Sequence, residues 1–245
     1  SKLQLSSDGK YLAFIEDKCT LQIKNLEMNE FKRPLQCEKE ITAISFSADN
    51  KYIISVAGDS FAKIWEVKSN VGVCIRPLGD DADWIRNAYY SSDGDYIATS
   101  SIDSTGKIWD CKSRVLASIL YGHENRVTSI SFDNSGKMVV TTSDDCTAKI
   151  WNVKDAGCLK TLKDNNNSVH NATFDKNGER LATVSWDRTG TIWDLDVEDG
   201  SPKRLNGHKA PVLTVLFDSS NNYLITSSND NSAIVWDAET GENTG

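Results

Sequence analysis

Short segments of alternating apolar and polar residues run along the whole chain, separated by turns rich in Asp, Asn, Ser and Gly. One example extends from Phe46 to Ile54, and a second extends from Phe132 to Val140. Alternation with a period of two is typical of β-strands, and these turn residues favour tight reversals of the chain. No segment shows the apolar period of a long helix. The pattern therefore predicts an all-β fold made of many short antiparallel strands.

Tryptophan recurs at a nearly constant spacing. The five positions are Trp65, Trp109, Trp151, Trp193 and Trp236, with spacings of 44, 42, 42 and 43 residues. Each tryptophan ends an alternating run such as Ala62–Trp65. One period before Trp65 the chain reads Thr20–Leu26, which alternates in the same way without a tryptophan. A repeat of this length predicts an array of similar structural units, and the chain contains six of them.

Each unit predicts four strands at about ten-residue intervals, which fits one antiparallel sheet per unit, with the sheets arranged radially. The expected units are residues 1–36, 37–79, 80–121, 122–163, 164–206 and 207–245, forming one domain of 245 residues. Nine residues follow Trp236, so the last sheet is expected to lack its outer strand within this chain. An open sheet edge invites pairing, so we expect that a longer protein supplies this strand from residues before Ser1, or that it has a further blade.

Two dipeptides recur at fixed places in the units. Trp-Asp occurs at Trp109, Trp193 and Trp236, and Gly-His places His123 and His208 28 residues before a tryptophan. With these motifs the chain resembles the WD40-repeat β-propeller family over essentially its whole length. The resemblance implies a propeller of six recognisable WD40 blades, each a four-stranded antiparallel sheet except the incomplete last one.

Polar residues also recur at fixed distances from the tryptophans. An acid stands six residues before each of them, at Asp59, Asp103, Asp145, Asp187 and Asp230. A buried indole N–H needs an acceptor, a turn carboxylate accepts backbone N–H groups, and a Ser hydroxyl with a His can link the two. We interpret the pattern as a structural relay inside each blade. Its complete sets are His123, Ser143, Asp145 and Trp151, and His208, Ser228, Asp230 and Trp236. Elsewhere Cys37, Asp81 and Asn165 stand in the His place.

Ser, His and Asp in one cluster also match the members of a hydrolytic triad. The structural interpretation is favoured because the cluster recurs at blade spacing, where a buried relay leaves no room for substrate. A sialidase-type Asp box is disfavoured because Ser185 to Trp193 spans nine residues instead of eight. We therefore assign no catalytic residue, cofactor or metal ligand. A propeller enzyme, hydrolytic or metal-dependent, with an active site at the channel mouth remains the alternative function.

Partners of WD40 proteins usually dock on the narrower top face around the central channel, so the resemblance also implies where contacts lie. The positions that commonly point there are three and five residues after the Gly-His histidine and one residue before the turn acid. In this chain they are Glu40, Thr42, Gly58, Trp84, Arg86, Ile102, Arg126, Thr128, Asp144, Ser168, His170, Trp186, Pro211, Leu213 and Asn229.

From these positions we select a partner-binding set by chemistry. Its members are Trp84, Arg86, Arg126, Asp144, His170, Trp186 and Asn229. Trp84 and Trp186 stand outside the repeating tryptophan position, and aromatic and Arg side chains are enriched among interface hot spots. The set predicts an aromatic and cationic patch for a short peptide with acidic or phosphorylated residues. In the alternative interpretation, Trp84 packs in a strand and the arginines are solvated.

Composition narrows the function further. A nucleic-acid-binding module is a third alternative function. The net charge of −8 disfavours it and also disfavours a protein that binds an anionic membrane. No apolar stretch approaches the roughly 18 residues of a membrane span, so no membrane insertion is expected. The six cysteines contain no C-x-x-C pair, which disfavours structural zinc and favours reduced thiols in the cytoplasm or nucleus. The leading hypothesis is a non-enzymatic scaffold or adaptor that binds a protein partner.

Overall fold

The computed structural model describes residues 3–32, 34–58, 62–68, 72–75, 84–163, 166–196 and 202–244, with the main chain alone for 72–75. All regular elements in these ranges are β-strands, and they form six antiparallel sheets. We call each sheet a blade and number the blades in chain order. The predicted all-β propeller is confirmed.

Blade one holds β1 (Leu3–Leu5), β2 (Tyr11–Asp17), β3 (Thr20–Asn25), β4 (Glu30–Phe31) and β5 (Leu35–Gln36), with β4 and β5 both paired to β3. Blade two holds β6 (Ile41–Phe46), β7 (Tyr52–Ala57), β8 (Ala62–Glu66) and β9 (Gly72–Ile75). Blade three holds β10 (Ile85–Tyr90), β11 (Tyr96–Ser101), β12 (Gly106–Asp110) and β13 (Leu116–Leu120).

Blade four holds β14 (Val127–Phe132), β15 (Met138–Ser143), β16 (Ala148–Asn152) and β17 (Cys158–Leu162). Blade five holds β18 (Val169–Phe174), β19 (Arg180–Ser185), β20 (Thr189–Asp194) and β21 (Lys203–Asn206). Blade six holds three strands, β22 (Val212–Phe217), β23 (Tyr223–Ser228) and β24 (Ala233–Asp237). The prediction that the last blade lacks its outer strand is confirmed for the described residues.

The strands of each blade run in chain order from an inner strand to an outer one. The inner strands β6, β10, β14, β18 and β22 pack side by side, and residues from all of them line one central channel. Apolar side chains alternate between the two faces of each blade, so both faces can be buried between neighbours. Blades four and five show this, since Val140 and Ile150 pack against Leu181 and Trp193.

Candidate functional site

A β-bulge interrupts the inner strands of blades two to six near their starts. The register shifts between Ile85 and Asn87 in β10, and between Val169 and Asn171 in β18. The same shift occurs in β6, β14 and β22. The residue passed over has no partner on the second strand, and a bulge of this kind re-aims a side chain. The five residues at this position are Thr42, Arg86, Thr128, His170 and Leu213. Each of them lines the central channel.

The channel opens into a cavity of about 1000 Å³. Besides the bulge residues, its lining includes Trp84 and Arg126, which sequence analysis selected, and Glu40 and Ile102, which occupy equivalent positions. Tyr89 and Asn87 also line it, and no motif had pointed to them. Four of the predicted partner-binding residues, Trp84, Arg86, Arg126 and His170, therefore share one cavity.

One recurring backbone hydrogen bond joins the residue before each turn acid to a residue at this end of the channel. The residue before each turn acid donates its N–H to the carbonyl of the residue three places after the histidine position. The pairs are Gly58 with Glu40, Ile102 with Trp84, Asp144 with Arg126, Trp186 with Ser168 and Asn229 with Pro211, at 3.0–3.1 Å. This repeated bond places all five turns at the same end of the channel.

Two tryptophans at this end are exposed. Trp84 directly precedes β10 and is 59% exposed, so it does not pack in a strand core. Trp186 is 48% exposed, and its ring lies 6.1 Å from that of His170 in a tilted arrangement. Trp186 and Asn229 do not themselves line the cavity. Trp186 contacts the cavity residue His170, whereas Asn229 lies in the turn between β23 and β24.

The two arginines have different surroundings. Arg126 Nε lies 3.0 Å from Asp144 Oδ2, and Ser168 donates its hydroxyl to the other carboxylate oxygen at 2.5 Å. The Asp144 carboxylate therefore compensates Arg126, although the Arg126 side chain is still 56% exposed. Arg86 forms no ion pair with any residue in the described ranges. Arg86 thus presents an uncompensated positive charge to the cavity.

The charge of Arg86 affects the pKa of His170. Burial lowers the pKa of His170, and Arg86 nearby lowers it further, while Asp144 opposes the shift. A nearby cation disfavours the protonated imidazole for the same reason that it favours an anionic ligand. Arg86 therefore acts as a cation on this part of the cavity, although the chain as a whole carries a net charge of −8.

The predicted relay is present in blades four and six, with one difference. His123 Nδ1 lies 2.7 Å from Asp145 Oδ2, and Nε2 lies 2.7 Å from the Thr141 hydroxyl. The Trp151 indole N–H donates to the same hydroxyl at 2.7 Å. In blade six, His208, Asp230, Thr226 and Trp236 repeat the arrangement.

The assignment of Ser143 and Ser228 as the link between His and Trp was wrong. Ser143 donates to the Asn125 carbonyl and accepts from the Asp145 backbone N–H, so it stabilises the turn. Ser228 does the same in blade six. The linking hydroxyl lies ten residues before the tryptophan in each of the five repeats that have a tryptophan. The five positions are Ser55, Thr99, Thr141, Thr183 and Thr226, each accepting the indole N–H at 2.7–2.9 Å.

Blades without the histidine use other side chains. Cys37 Sγ lies 3.7 Å from the Ser55 hydroxyl in blade two. Lys107 Nζ contacts Asp103 at 2.5 Å in blade three, and Arg204 lies 3.8 Å from Asp187 in blade five. These cations compensate the turn carboxylates. Asp59, Asp81 and Asn165 lie outside the described residues.

The relay carboxylates are held ionised. Burial alone would raise the pKa of Asp145, but hydrogen bonds from His123 and Thr147 hold it well below its ordinary value. The bond from Ser232, followed by that from the Lys209 N–H, has the same effect on the pKa of Asp230. Hydrogen bonds within the blade therefore explain why both carboxylates are ionised.

No group of three or more His, Cys, Asp or Glu side chains in the described ranges is placed to hold a metal ion. No helix in those ranges is long and apolar enough to cross a membrane.

Comparison with known proteins agrees with this geometry. The family model described as "WD domain, G-beta repeat" matches residues 30–66, 72–110, 114–152, 156–194 and 200–237. No curated protein matches the sequence. WD40 repeats generally mediate protein–protein interactions, and WD40 propellers are typically non-enzymatic scaffolds. Since the family model covers most of its length in five consecutive repeats, the chain belongs to the WD40-repeat family.

Proposed function

We propose that this protein is a non-enzymatic scaffold that binds an acidic segment of a protein partner at the cavity described above. The observation that carries the proposal is Arg86, a cation without an ion pair among the described residues, beside the exposed Trp84 in one cavity. A carboxylate or phosphate would compensate Arg86 through a charge-assisted hydrogen bond. Trp84 would contribute an aromatic anchor.

The composition of the cavity favours binding over catalysis. Glu40 is the one carboxylate residue among its described lining residues, so the cluster of acids expected at a hydrolytic or metal-dependent centre has no counterpart there. The relay histidines His123 and His208 are buried and bonded within their blades, so they offer no base to a substrate.

A test can proceed without knowing the partner. Random short peptides displayed on phage would be selected against the wild-type protein, and the selected peptides measured against variants by fluorescence anisotropy. We expect enrichment of Asp, Glu or phosphomimetic positions next to apolar residues. Arg86→Glu should abolish this binding, and Trp84→Ala should weaken it by roughly 2 kcal/mol.

Arg126→Glu is the matched control, since it places the same charge change on an arginine that Asp144 already compensates. It should weaken binding much less than Arg86→Glu. Selected peptides that bind wild type, Arg86→Glu and Trp84→Ala with equal affinity would place the binding surface elsewhere on the protein.

A further inference from the structure

The border between blades two and three differs from the borders that follow blades one, three, four and five. Each border has a lower end, opposite the turn acids, where the second strand of the earlier blade begins. The first residue of that strand packs on the next blade at the other four borders, where it is Tyr11, Tyr96, Met138 or Arg180. Tyr52 occupies this position in blade two and is 42% exposed. The border between blades two and three is therefore open at its lower end.

A cavity of about 480 Å³ lies at this open end. We call it the seam cavity. Its apolar lining includes Ile64 in β8 and Cys111 just after β12, from the two blades that meet there. Ile64 is partly exposed, whereas Ile108, Ile150 and Ile192 at the equivalent positions are at most 2% exposed. The volume falls within the range of ligand pockets, about 300–1,000 Å³.

Two tyrosine side chains line the seam cavity. One is Tyr52, and the other is Tyr90 at the end of β10. Blades two, four, five and six carry phenylalanine at the position of Tyr90, namely Phe46, Phe132, Phe174 and Phe217. Neither tyrosine hydroxyl has a hydrogen-bond partner within the part of the chain that the structure describes. The face of a tyrosine ring attracts cations, and the attraction grows where water is excluded.

The charged residues of the lining are mostly acidic. They are Asp49, Asp93 and Arg114, so two carboxylates stand against one guanidinium. Lys51 Nζ lies 3.0 Å from an Asp49 carboxylate oxygen, but Lys51 is not itself a lining residue. Asp93 and Arg114 form no ion pair with any residue in the described ranges. The balance of charge in the lining therefore favours a cationic ligand over an anionic one.

The pKa shifts of two lining residues agree with this balance. Burial raises the pKa of Tyr90, and the Cys111 thiol and the Asp49 carboxylate raise it further. Burial also raises the pKa of Cys111 to about 12, and three carboxylates, with that of Asp93 among them, outweigh the opposing effect of Lys112. A carboxylate that disfavours a tyrosinate or a thiolate favours a cation at the same place.

We propose that the seam cavity binds an organic cation, namely a quaternary ammonium group on an apolar body. The methyl groups would contact the rings of Tyr52 and Tyr90, and Asp49 would supply the opposite charge. A quaternary ammonium group donates no hydrogen bond, so the apolar side chain of Ile64 leaves no donor unsatisfied. The seam cavity shares no lining residue with the cavity of the proposed function, so the two proposals can fail separately.

The role of charge is tested with two probes of nearly the same shape. Choline carries a trimethylammonium group, and 3,3-dimethylbutanol is its uncharged carbon isostere. Each would be titrated into the 245-residue chain and followed by amide chemical shifts. We expect choline to shift residues 47–52 and 90–94 in a saturable way, and to bind about tenfold more tightly than the alcohol. A peptide with one trimethyllysine carries the same group, so its affinity relative to choline distinguishes a protein side chain from a free small molecule.

Asp49→Asn should weaken choline binding several-fold, because it removes a lining charge while the amide oxygen still accepts hydrogen bonds. Asp8→Asn is the matched control and should leave the affinity unchanged. Asp8 accepts from a serine hydroxyl and a lysine N–H in the equivalent turn of blade one, as Asp49 does in blade two, but Asp8 lies outside the seam cavity.

The aromatic contribution is tested separately. Tyr52→Leu should weaken choline binding, whereas Tyr90→Phe should preserve it because the ring face remains. Arg114→Ala should strengthen choline binding, since it removes the one cation among the lining residues.

Three results would overturn the proposal. The first is the absence of saturable shifts in these residues with both choline and the trimethyllysine peptide. The second is equal affinity for choline and its uncharged isostere. The third is tighter binding of 3,3-dimethylbutanoate that is lost in Arg114→Ala, which would mean that the seam cavity selects an anion.

Discussion

Thr141→Val tests the relay at its central atom. The Thr141 hydroxyl accepts from Trp151 Nε1 and, since His123 Nδ1 faces the Asp145 carboxylate, donates to His123 Nε2. Valine has nearly the same shape as threonine but neither accepts nor donates. The change therefore leaves two buried polar groups without a partner, while the packing of blade four is preserved.

The expected loss follows from those two groups. Thr141 is completely buried, so water cannot replace its hydroxyl. An unsatisfied buried donor or acceptor costs about 1–3 kcal/mol, which gives about 2–6 kcal/mol for the indole N–H and the imidazole nitrogen together. This is a large part of the stability of a typical domain, which is about 5–15 kcal/mol.

Urea unfolding followed by tryptophan fluorescence measures the change. Thr141→Ser is the matched control, because it keeps the hydroxyl, and Ser55 already occupies the equivalent position in blade two. Ser143→Ala should cost only about 1 kcal/mol, because its two partners belong to the exposed Asn125 and the partly exposed Asp145, where water can replace the hydroxyl. The reasoning is refuted if Thr141→Val is as stable as Thr141→Ser, or if Ser143→Ala is the more damaging change.

Three further predictions concern the same blades and the cavity. The pKa of Asp145 is lowered from 3.8, so its contribution to stability is present above pH 3.8 and is lost as the pH falls below that value. Asp145→Asn should therefore flatten the dependence of the urea midpoint on pH below about 4. Arg86→Ala should raise the pKa of His170 toward its ordinary value, as measured by NMR titration of the ring, and an unchanged pKa would contradict the placement of Arg86. Trp193→Ala should destabilise the fold by about 3–5 kcal/mol, whereas Trp186→Ala should leave the melting temperature nearly unchanged, and equal losses would mean that Trp186 is a core residue.

Most of the fold could be predicted because the tryptophan position combines two strong constraints. A side chain as large as Trp151 must be buried between two blades, and its N–H must meet an acceptor inside its own blade. Residues that satisfy both constraints can change little from one repeat to the next. The five tryptophans therefore reveal the period even where blade one replaces the indole with Lys24.

The relay hydroxyl was misassigned although the sequence contained the information. Trp151 lies opposite Val139 in the ladder, so Thr141 is its diagonal neighbour, within about 7–8 Å and in reach of an indole. Ser143 lies four residues from Val139, about 13 Å along the strand, beyond that reach. Distance along the chain does not show which of the two hydroxyls reaches the Trp151 indole. The antiparallel register does show it.

The pairing of Arg126 with Asp144 needed three-dimensional information. Both positions were assigned to the top face, but the bulge next to Arg126 and the short bond between the Asp144 N–H and the Arg126 carbonyl determine that the two side chains meet. Alternation with a period of two cannot show an inserted residue. Sequence analysis therefore selected four residues that line the cavity, but it treated a compensated arginine and an uncompensated one as equals.

The bulge also explains where this protein can vary its binding chemistry. A residue in a regular strand is constrained by a cross-strand partner, and the relay positions accordingly carry Thr or Ser in the five repeats that have a tryptophan. The bulged residue has no such partner, and its five examples include a cation, an imidazole and an apolar side chain. Substitution at Arg86, His170 or Leu213 changes what the cavity presents, whereas Thr42 and Thr128 also donate hydrogen bonds to the next blade. Under the proposed function, the ligand and not the requirements of folding accounts for the positive charge of Arg86 in an acidic protein.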